Sequence, residues 1–276
     1  MTALLKRDGF FVRIIVALKK LSSMQEGLIT SHIEHGINTI EFFHPQSNSL
    51  PGKILEELAK EIHFAGTRDD TKVIILKSVG EKTFCSGASF DELIDIKTEA
   101  EGLQFFSGFA NVINAMRKCP KFIIGRIQGK CVGGGVGLAA AVDYAIANST
   151  AEVKLSELAV GIGPFVVGPA VERKIGTAAF SALSIDASNW RSTDWAKRKG
   201  LFAEIHDTIE NMDEAVDHLA NTLAHSNPEA MAAMKKIFWK GTEHWDELLK
   251  ERAAISGKLV LSEFTKNAIA KFKAKR

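Results

Sequence analysis

Three consecutive glycines, Gly133-Gly134-Gly135, stand between the apolar run Phe122 to Ile127 and the alanine-rich run Leu138-Ala139-Ala140-Ala141. The first run, rich in β-branched residues, reads as a buried strand, and the second as a short buried helix. Glycines at a helix start let the backbone come close to another group, and the first N–H groups of a helix have no partner within it. The helix dipole makes that end partly positive, so the turn is able to stabilise a developing negative oxygen.

Three other readings of the stretch compete. A phosphate-binding P-loop needs a Gly-Lys-Ser/Thr ending, which is absent. Gly135-Val136-Gly137-Leu138-Ala139-Ala140 fits the dinucleotide pattern G-x-G-x-x-A, with Glu157 downstream at a suitable distance. Against it, the next strand signal, Asp143 to Asn148, begins too soon for a βαβ crossover of about ten residues or more. The third reading is packing alone, with glycine letting the helix sit tightly against a sheet. On these residues alone, oxyanion binding and packing both stay open.

The flanking elements must position that turn. Leu28 to Glu34 and Ile37 to Phe43 are strand-like and meet at His35-Gly36, as in a hairpin. His44 to Ser49 is turn material, after which Ile54, Leu55, Leu58, Ala59 and Ile62 fall on one helical face. Val73 to Leu76 is a short apolar strand leading through Gly80-Glu81-Lys82 to Thr83 and onward to Leu93. Residues 99–118 read as a helix ending before Pro120, and Val153-Lys154-Leu155 as a further short strand. Strand, strand, helix therefore recurs from residue 27 to 185, a quasi-repetitive α/β organisation.

After residue 210 the strand signals stop. Residues 211–225, 228–239, 242–260 and 262–274 read as helices, with Asn227-Pro228 marking a helix start. The expected division is an N-terminal extension over 1–23, a ββα core over 24–207, and a helical region over 208–276 that serves as lid or subunit contact.

The chain has 276 residues, 46% of them hydrophobic and 25% charged, enough for a sizeable core. A net charge of +2 gives no reason to expect nucleic acid as a partner. Cys85, Cys119 and Cys131 form neither an even framework nor a C-x-x-C, which points to a reducing compartment and away from a zinc site. No run is long enough to span a membrane. Arg13 interrupts the apolar run Phe10 to Leu18, and no small-residue cleavage site stands out, which argues against a secretory signal. Met24 is read as the true start, which implies the cytoplasm; the alternative is a basic segment directing the protein to the mitochondrial matrix.

Phe84-Cys85-Ser86-Gly87-Ala88-Ser89 and Gly129 through Leu138, with Asn48-Ser49-Leu50 upstream and Leu155 through Pro164 downstream, resemble the crotonase (enoyl-CoA hydratase/isomerase) superfamily. The match runs in order from about residue 26 to the C-terminus. The resemblance implies an α/β, crotonase-like spiral of ββα turns whose C-terminal α-helical region builds homotrimers, often paired as dimers of trimers. It implies acyl-CoA thioester substrates, with coenzyme A part of the substrate and no separate cofactor or metal. In that family two backbone N–H groups hold the thioester oxygen as an enolate forms, and matching the motifs puts them on Ala88 and Gly134. Coenzyme A is then expected near Asn48, Ser86, Gly87 and Ser89, with Lys273 and Lys275 reaching its phosphates. Gly133, Gly137 and Pro164 complete the implied substrate contacts. Ser89 departs from the Asp or Asn usual in the family.

The acid and base decide the reaction. Hydratases of the family use two glutamates; the second matches Glu157, while the first falls at Gly137, which has no side chain to offer. A lone glutamate resembles the Δ3,Δ2-enoyl-CoA isomerases, in which one carboxylate takes a proton from C2 and returns it to C4. Dienoyl-CoA isomerases carry an aspartate at the Gly137 position, and 3-hydroxyisobutyryl-CoA hydrolases carry one near Pro164-Phe165-Val166; both are missing here. The resemblance thus implies isomerisation through Glu157 ahead of hydration with an atypical water site, the methylglutaconyl-CoA type included. Acyl-CoA hydrolysis and a non-catalytic CoA-binding trimer follow. Beside Val132, Val136, Leu158 and Phe165, the Glu157 pKa is expected to rise by desolvation. Asp143 is expected to anchor helix to strand, and Trp190, Trp195, Trp239 and Trp245 to fall in helices.

Overall fold

The computed structural model describes residues 26–273. The expected extension over 1–23, the Met24 start, Lys275 and the Lys273 side chain lie outside the described residues. Strands β1 (Leu28–Glu34) and β2 (Ile37–Phe43) form an antiparallel hairpin, turned by His35 (φ 50) and Gly36 (φ 82). Helix α1 (Gly52–Thr67) follows and buries Ile54, Leu55, Leu58 and Ile62 along one stripe, as its spacing requires.

From there each turn of the chain lays one strand in a large sheet, one in a small sheet, and then a helix. β3 (Val73–Ser78) enters the large sheet, β4 (Thr83–Cys85) the small one, and α2 (Phe90–Asp95) and α3 (Glu99–Lys118) close the turn. β5 (Phe122–Ile127), β6 (Lys130–Val132) and α4 (Gly134–Ala141) form the next. β7 (Tyr144–Asn148), β8 (Val153–Lys154) and α5 (Gly168–Ile185) form the third, followed by α6 (Thr193–Arg198) and β9 (Glu204–His206). The sheet orders are β1-β2-β3-β5-β7-β9 and β4-β6-β8. Among the named strands every pairing after the first hairpin is parallel, because each strand returns to its sheet only after a crossover.

The chain ends in α7 (Ile209–Ala224), α8 (Pro228–Phe238), α9 (Trp245–Leu259) and α10 (Glu263–Lys273). Asn227 caps α8 by accepting from the Glu229 and Ala230 amides, with Pro228 in the first turn where no N–H is needed. β3 and β5 are buried on both faces, hence their unbroken apolar runs. One face joins the main core with α1, α3 and α4; on the other, Met212, Val216 and Ala220 of α7 and Met231 of α8 cover Val73, Ile75 and Phe122. α9 crosses α3 where two glycines meet: a Cβ on Gly102 would lie 2.6 Å from the Gly257 Cα.

Asp143 joins strand to helix, and to more than one. Its Oδ2 accepts from the Ile123 amide at 2.8 Å and pairs with the buried Lys235 ammonium at 2.8 Å, while its Oδ1 accepts from Trp239 Nε1. Trp195 and Trp245 lie in helices, and Trp239 follows α8 directly. Trp190 does not: its neighbour Arg191 pairs with Val153 at the edge of the small sheet, which holds the segment extended.

Candidate active site

The small sheet is the platform. Its strands are parallel, so β4, β6 and β8 end on one side and deliver three segments side by side: Ser86–Ala88, Gly133–Gly134 and Ser156–Glu157. Gly87 (φ 94) and Gly133 (φ 53) both adopt left-handed backbone that side chains resist. The two turns touch: a Cβ on Gly87 would lie 3.1 Å from the Val132 carbonyl oxygen and 3.5 Å from the Gly134 nitrogen. The Leu50 amide donates to the Gly87 carbonyl and the Ser89 amide to the Leu50 carbonyl, bracketing Ala88. Among the described residues, neither the Ala88 N–H nor the Gly134 N–H, which opens α4, has an acceptor.

Glu157 begins a single 3-10 turn, Glu157–Val160, that Gly161 (φ 83) ends. Its Oε1 lies against the glycine turn, 2.9 Å from where a Cβ on Gly133 would sit. The residue as a whole is half-buried, but its Oε2 is shielded from solvent and has no hydrogen-bond partner. Burial pushes the Glu157 carboxyl up to about 7, with its own backbone N–H pulling weakly the other way. A carboxyl titrating there is equipped both to take and to return a proton near neutral pH.

Ser86, Gly87, Ala88, Gly133, Gly134, Glu157 and Pro164 all line one cavity of about 1320 Å³. Its walls are largely apolar, with Phe105, Phe106 and Phe109 from α3, Phe165 and Val167 before α5, and Phe264 from α10. Phe109 closes over the turn, since a Cβ on Gly134 would fall 2.2 Å from its ring.

Three expected contacts are corrected. Asn48 does not line the cavity: its Nδ2 donates to the Val79 and Thr83 carbonyls and its Oδ1 accepts from the His44 amide, so it braces the loop from within. Ser89 does not either, because its hydroxyl caps α2 by accepting from the Glu92 amide. Gly137 lies behind the wall, where a Cβ would meet Val167 Cγ1 at 2.5 Å. Lys271, two residues before the expected Lys273, lines the cavity. Lys154 on β8 lines it as well. Neither Lys154 nor the α3 phenylalanines stood out in sequence; the one available signal was that Lys154 precedes Glu157 on a strand.

A family model described as enoyl-CoA hydratase/isomerase matches residues 32–276. The chain belongs to the enoyl-CoA hydratase/isomerase family. Among curated relatives, the chain is 28% identical to a short-chain-enoyl-CoA hydratase of Clostridium acetobutylicum, over 83% of this chain and 87% of that protein. It is 27% identical to a probable enoyl-CoA hydratase of Bacillus subtilis, over 90% and 96% of the two. A hydrolase of Mycobacterium tuberculosis that acts on a hexahydroindene-carboxyl-CoA is 26% identical, over 74% and 80%. The solved structure of an enoyl-CoA hydratase from Bacillus halodurans has the same fold, with TM-score 0.81 at 21% identity over 88% of this chain and 99% of that one. Members of the hydratase/isomerase family process acyl-CoA thioesters. Among the described residues, no helix is long and apolar enough to cross a membrane.

Proposed function

We propose that the protein is a Δ3,Δ2-enoyl-CoA isomerase whose proton shuttle is Glu157. One observation carries this reading: among the described residues, Glu157 is the sole carboxylate lining the cavity, and Val167 fills the space beside Gly137 where a second could have entered. Isomerisation needs one group that removes a proton and returns it. Hydration needs, in addition, an activated water.

Coenzyme A lies along Ser47, Ser49 and Ser86, at the β4 edge of the cavity, with Lys271 of α10 facing its phosphates. The thioester carbonyl points between the Ala88 and Gly134 N–H groups. Ionised Glu157 takes a proton from C2, and the electron pair spreads through the C3–C4 double bond and onto the thioester oxygen. The two amides hold that charge, each such donor lowering the barrier by about 2.7–4 kcal/mol. Protonated Glu157 then gives its proton to C4, leaving the double bond between C2 and C3 and the enzyme unchanged. Phe109, Val167 and Phe165 keep water from competing for the dienolate.

Hydration is the second reading, favoured by the names of the Clostridium and Bacillus relatives. The two separate by absorbance of the conjugated thioester. A gain of signal with 3-hexenoyl-CoA is the expected result. Loss of signal with crotonyl-CoA and no gain with 3-hexenoyl-CoA would replace isomerisation by hydration.

A further inference from the structure

Glu157, Lys154 and Lys271 are, among the described residues, the charged side chains that line the cavity. Lys154 ends β8, where it is the register partner of Val132, so its side chain stands on the cavity face rather than in the core with Val153. Its Nζ sits 4.5 Å from the centre of the Trp190 ring. Lys130 shares that ring at 4.6 Å, but Lys130 is neutralised by Glu152 at 3.3 Å. Among the described residues, no carboxylate lies within ion-pair distance of Lys154, and nearby Arg191 is taken by Asp186 at 2.6 Å.

The ends of the cavity differ. Gln46, Ser47, Ser49 and Ser86 line the β4 edge, while Lys154, Ala187 and Ser188 line the β8 edge, held there by the Val153–Arg191 bridge. The Ala88 and Gly134 amides lie between. With coenzyme A at the β4 edge, as the proposed function has it, the acyl chain runs from the thioester toward β8. There it meets a cation that an aromatic ring holds in place and that no anion among the described residues satisfies.

We propose that Lys154 is an acyl-recognition residue and that the substrate's acyl group ends in a carboxylate, with Trp190 positioning the Lys154 ammonium. An enoyl-CoA derived from a dicarboxylic acid fits this chemistry. A cation held on a ring face keeps its charge while losing the freedom of a lysine stem, which favours one fixed anion over bulk water. The same ammonium could also meet a coenzyme A phosphate, and the two anions give different kinetics.

The test compares 3-hexenoyl-CoA with the mono-CoA thioester of 3-hexenedioic acid, which differ only in the terminal carboxylate. The intact protein is expected to prefer the carboxylated thioester in kcat/KM by at least about tenfold, the effect of a charge-assisted hydrogen bond. Lys154→Met is expected to erase most of that preference through KM, and Lys154→Arg to restore part of it. Trp190→Leu is expected to raise KM for the carboxylated thioester with kcat retained, which a merely structural role would not do. Equal losses on both thioesters in Lys154→Met would assign the ammonium to a phosphate and overturn the inference. So would the absence of any preference in the intact protein, while isomerase activity on 3-hexenoyl-CoA left the proposed function standing. Turnover of neither thioester would overturn both.

Discussion

Val167 occupies the space that a side chain on Gly137 would need, with its Cγ1 2.5 Å and its Cβ 2.8 Å from the ideal Cβ position. Helix α4 is buried throughout, so nothing there gives way easily. Gly137→Glu alone is therefore expected to destabilise the fold by more than the about 1–3 kcal/mol of simple overpacking, because it also buries a carboxyl. It should not create a hydratase. Gly137→Glu with Val167→Gly opens the wall, and this pair is expected to recover stability and to hydrate crotonyl-CoA. Thermal denaturation and loss of crotonyl-CoA absorbance check the two halves.

Glu157→Gln keeps the shape of the side chain and removes its proton transfer. Isomerisation is expected to fall by about 10²–10⁴-fold, with KM little changed. In the unmodified protein kcat/KM should rise with pH through about 7, where the buried carboxyl ionises. Rate measurements from pH 5 to 9 on both proteins test this, and a flat profile in the unmodified protein would remove Glu157 from the mechanism.

The same burial makes a stability statement. The Glu157 carboxyl titrates at about 7 in the folded protein against an ordinary 4.5, so the folded state holds its proton longer than the unfolded chain. Its favourable contribution is complete below about 4.5 and is lost as pH rises, with the loss finished above about 7. Glu157→Gln should accordingly be more stable than the unmodified protein at pH 8, by about 2–4 kcal/mol. The gap should close near pH 4.5, as urea denaturation at the two pH values would show.

Gly133 combines left-handed backbone (φ 53) with the Glu157 Oε1 at 2.9 Å from its ideal Cβ position. Gly133→Ala is expected to cost about 1–3 kcal/mol of backbone strain and to displace the carboxylate. Turnover should fall more than substrate affinity. A kcat within twofold of the unmodified protein would mean that the carboxylate has room to spare.

Lys235 and Asp143 are both buried, at 2% and 9% side-chain exposure. Asp143→Ala leaves the Ile123 amide and the Trp239 Nε1 without their acceptor, and the Lys235 ammonium with the Lys121 carbonyl but no counter-ion. Removing one partner of such a pair costs about 3–5 kcal/mol. Urea denaturation of the variant should register a loss of that order.

The succession of strands and helices was legible in the chain because apolar spacing changes visibly from strand to helix, and glycine or proline marks the changes. Helices over Glu99–Lys118 and Pro228–Phe238 follow their periodic stretches closely. Asn48, Ser89 and Gly137 show the limit. Each lies within or beside a matching motif, yet each turns its polar groups or its bare Cα away from the cavity, toward Thr83, the α2 amides and Val167 respectively. A motif reports which residues are near one another along the chain, and says little about the direction of a side chain once the loop closes. Trp190 lies outside any helix for a related reason, since the bridge that extends its segment comes from Val153, remote in sequence.

By itself, then, the sequence determined the order of the ββα turns, the run of glycines that leaves the amides free at the start of α4, and the lack of a carboxylate at residue 137. Only the tertiary structure decided that Gly87 and Gly134 touch, that Glu157 lies against Gly133 with its Oε2 shielded from solvent, and that Val167 closes the wall behind Gly137. The physical reason is that local backbone preference is written residue by residue. Burial, a raised pKa and a filled space arise between segments that only packing brings together.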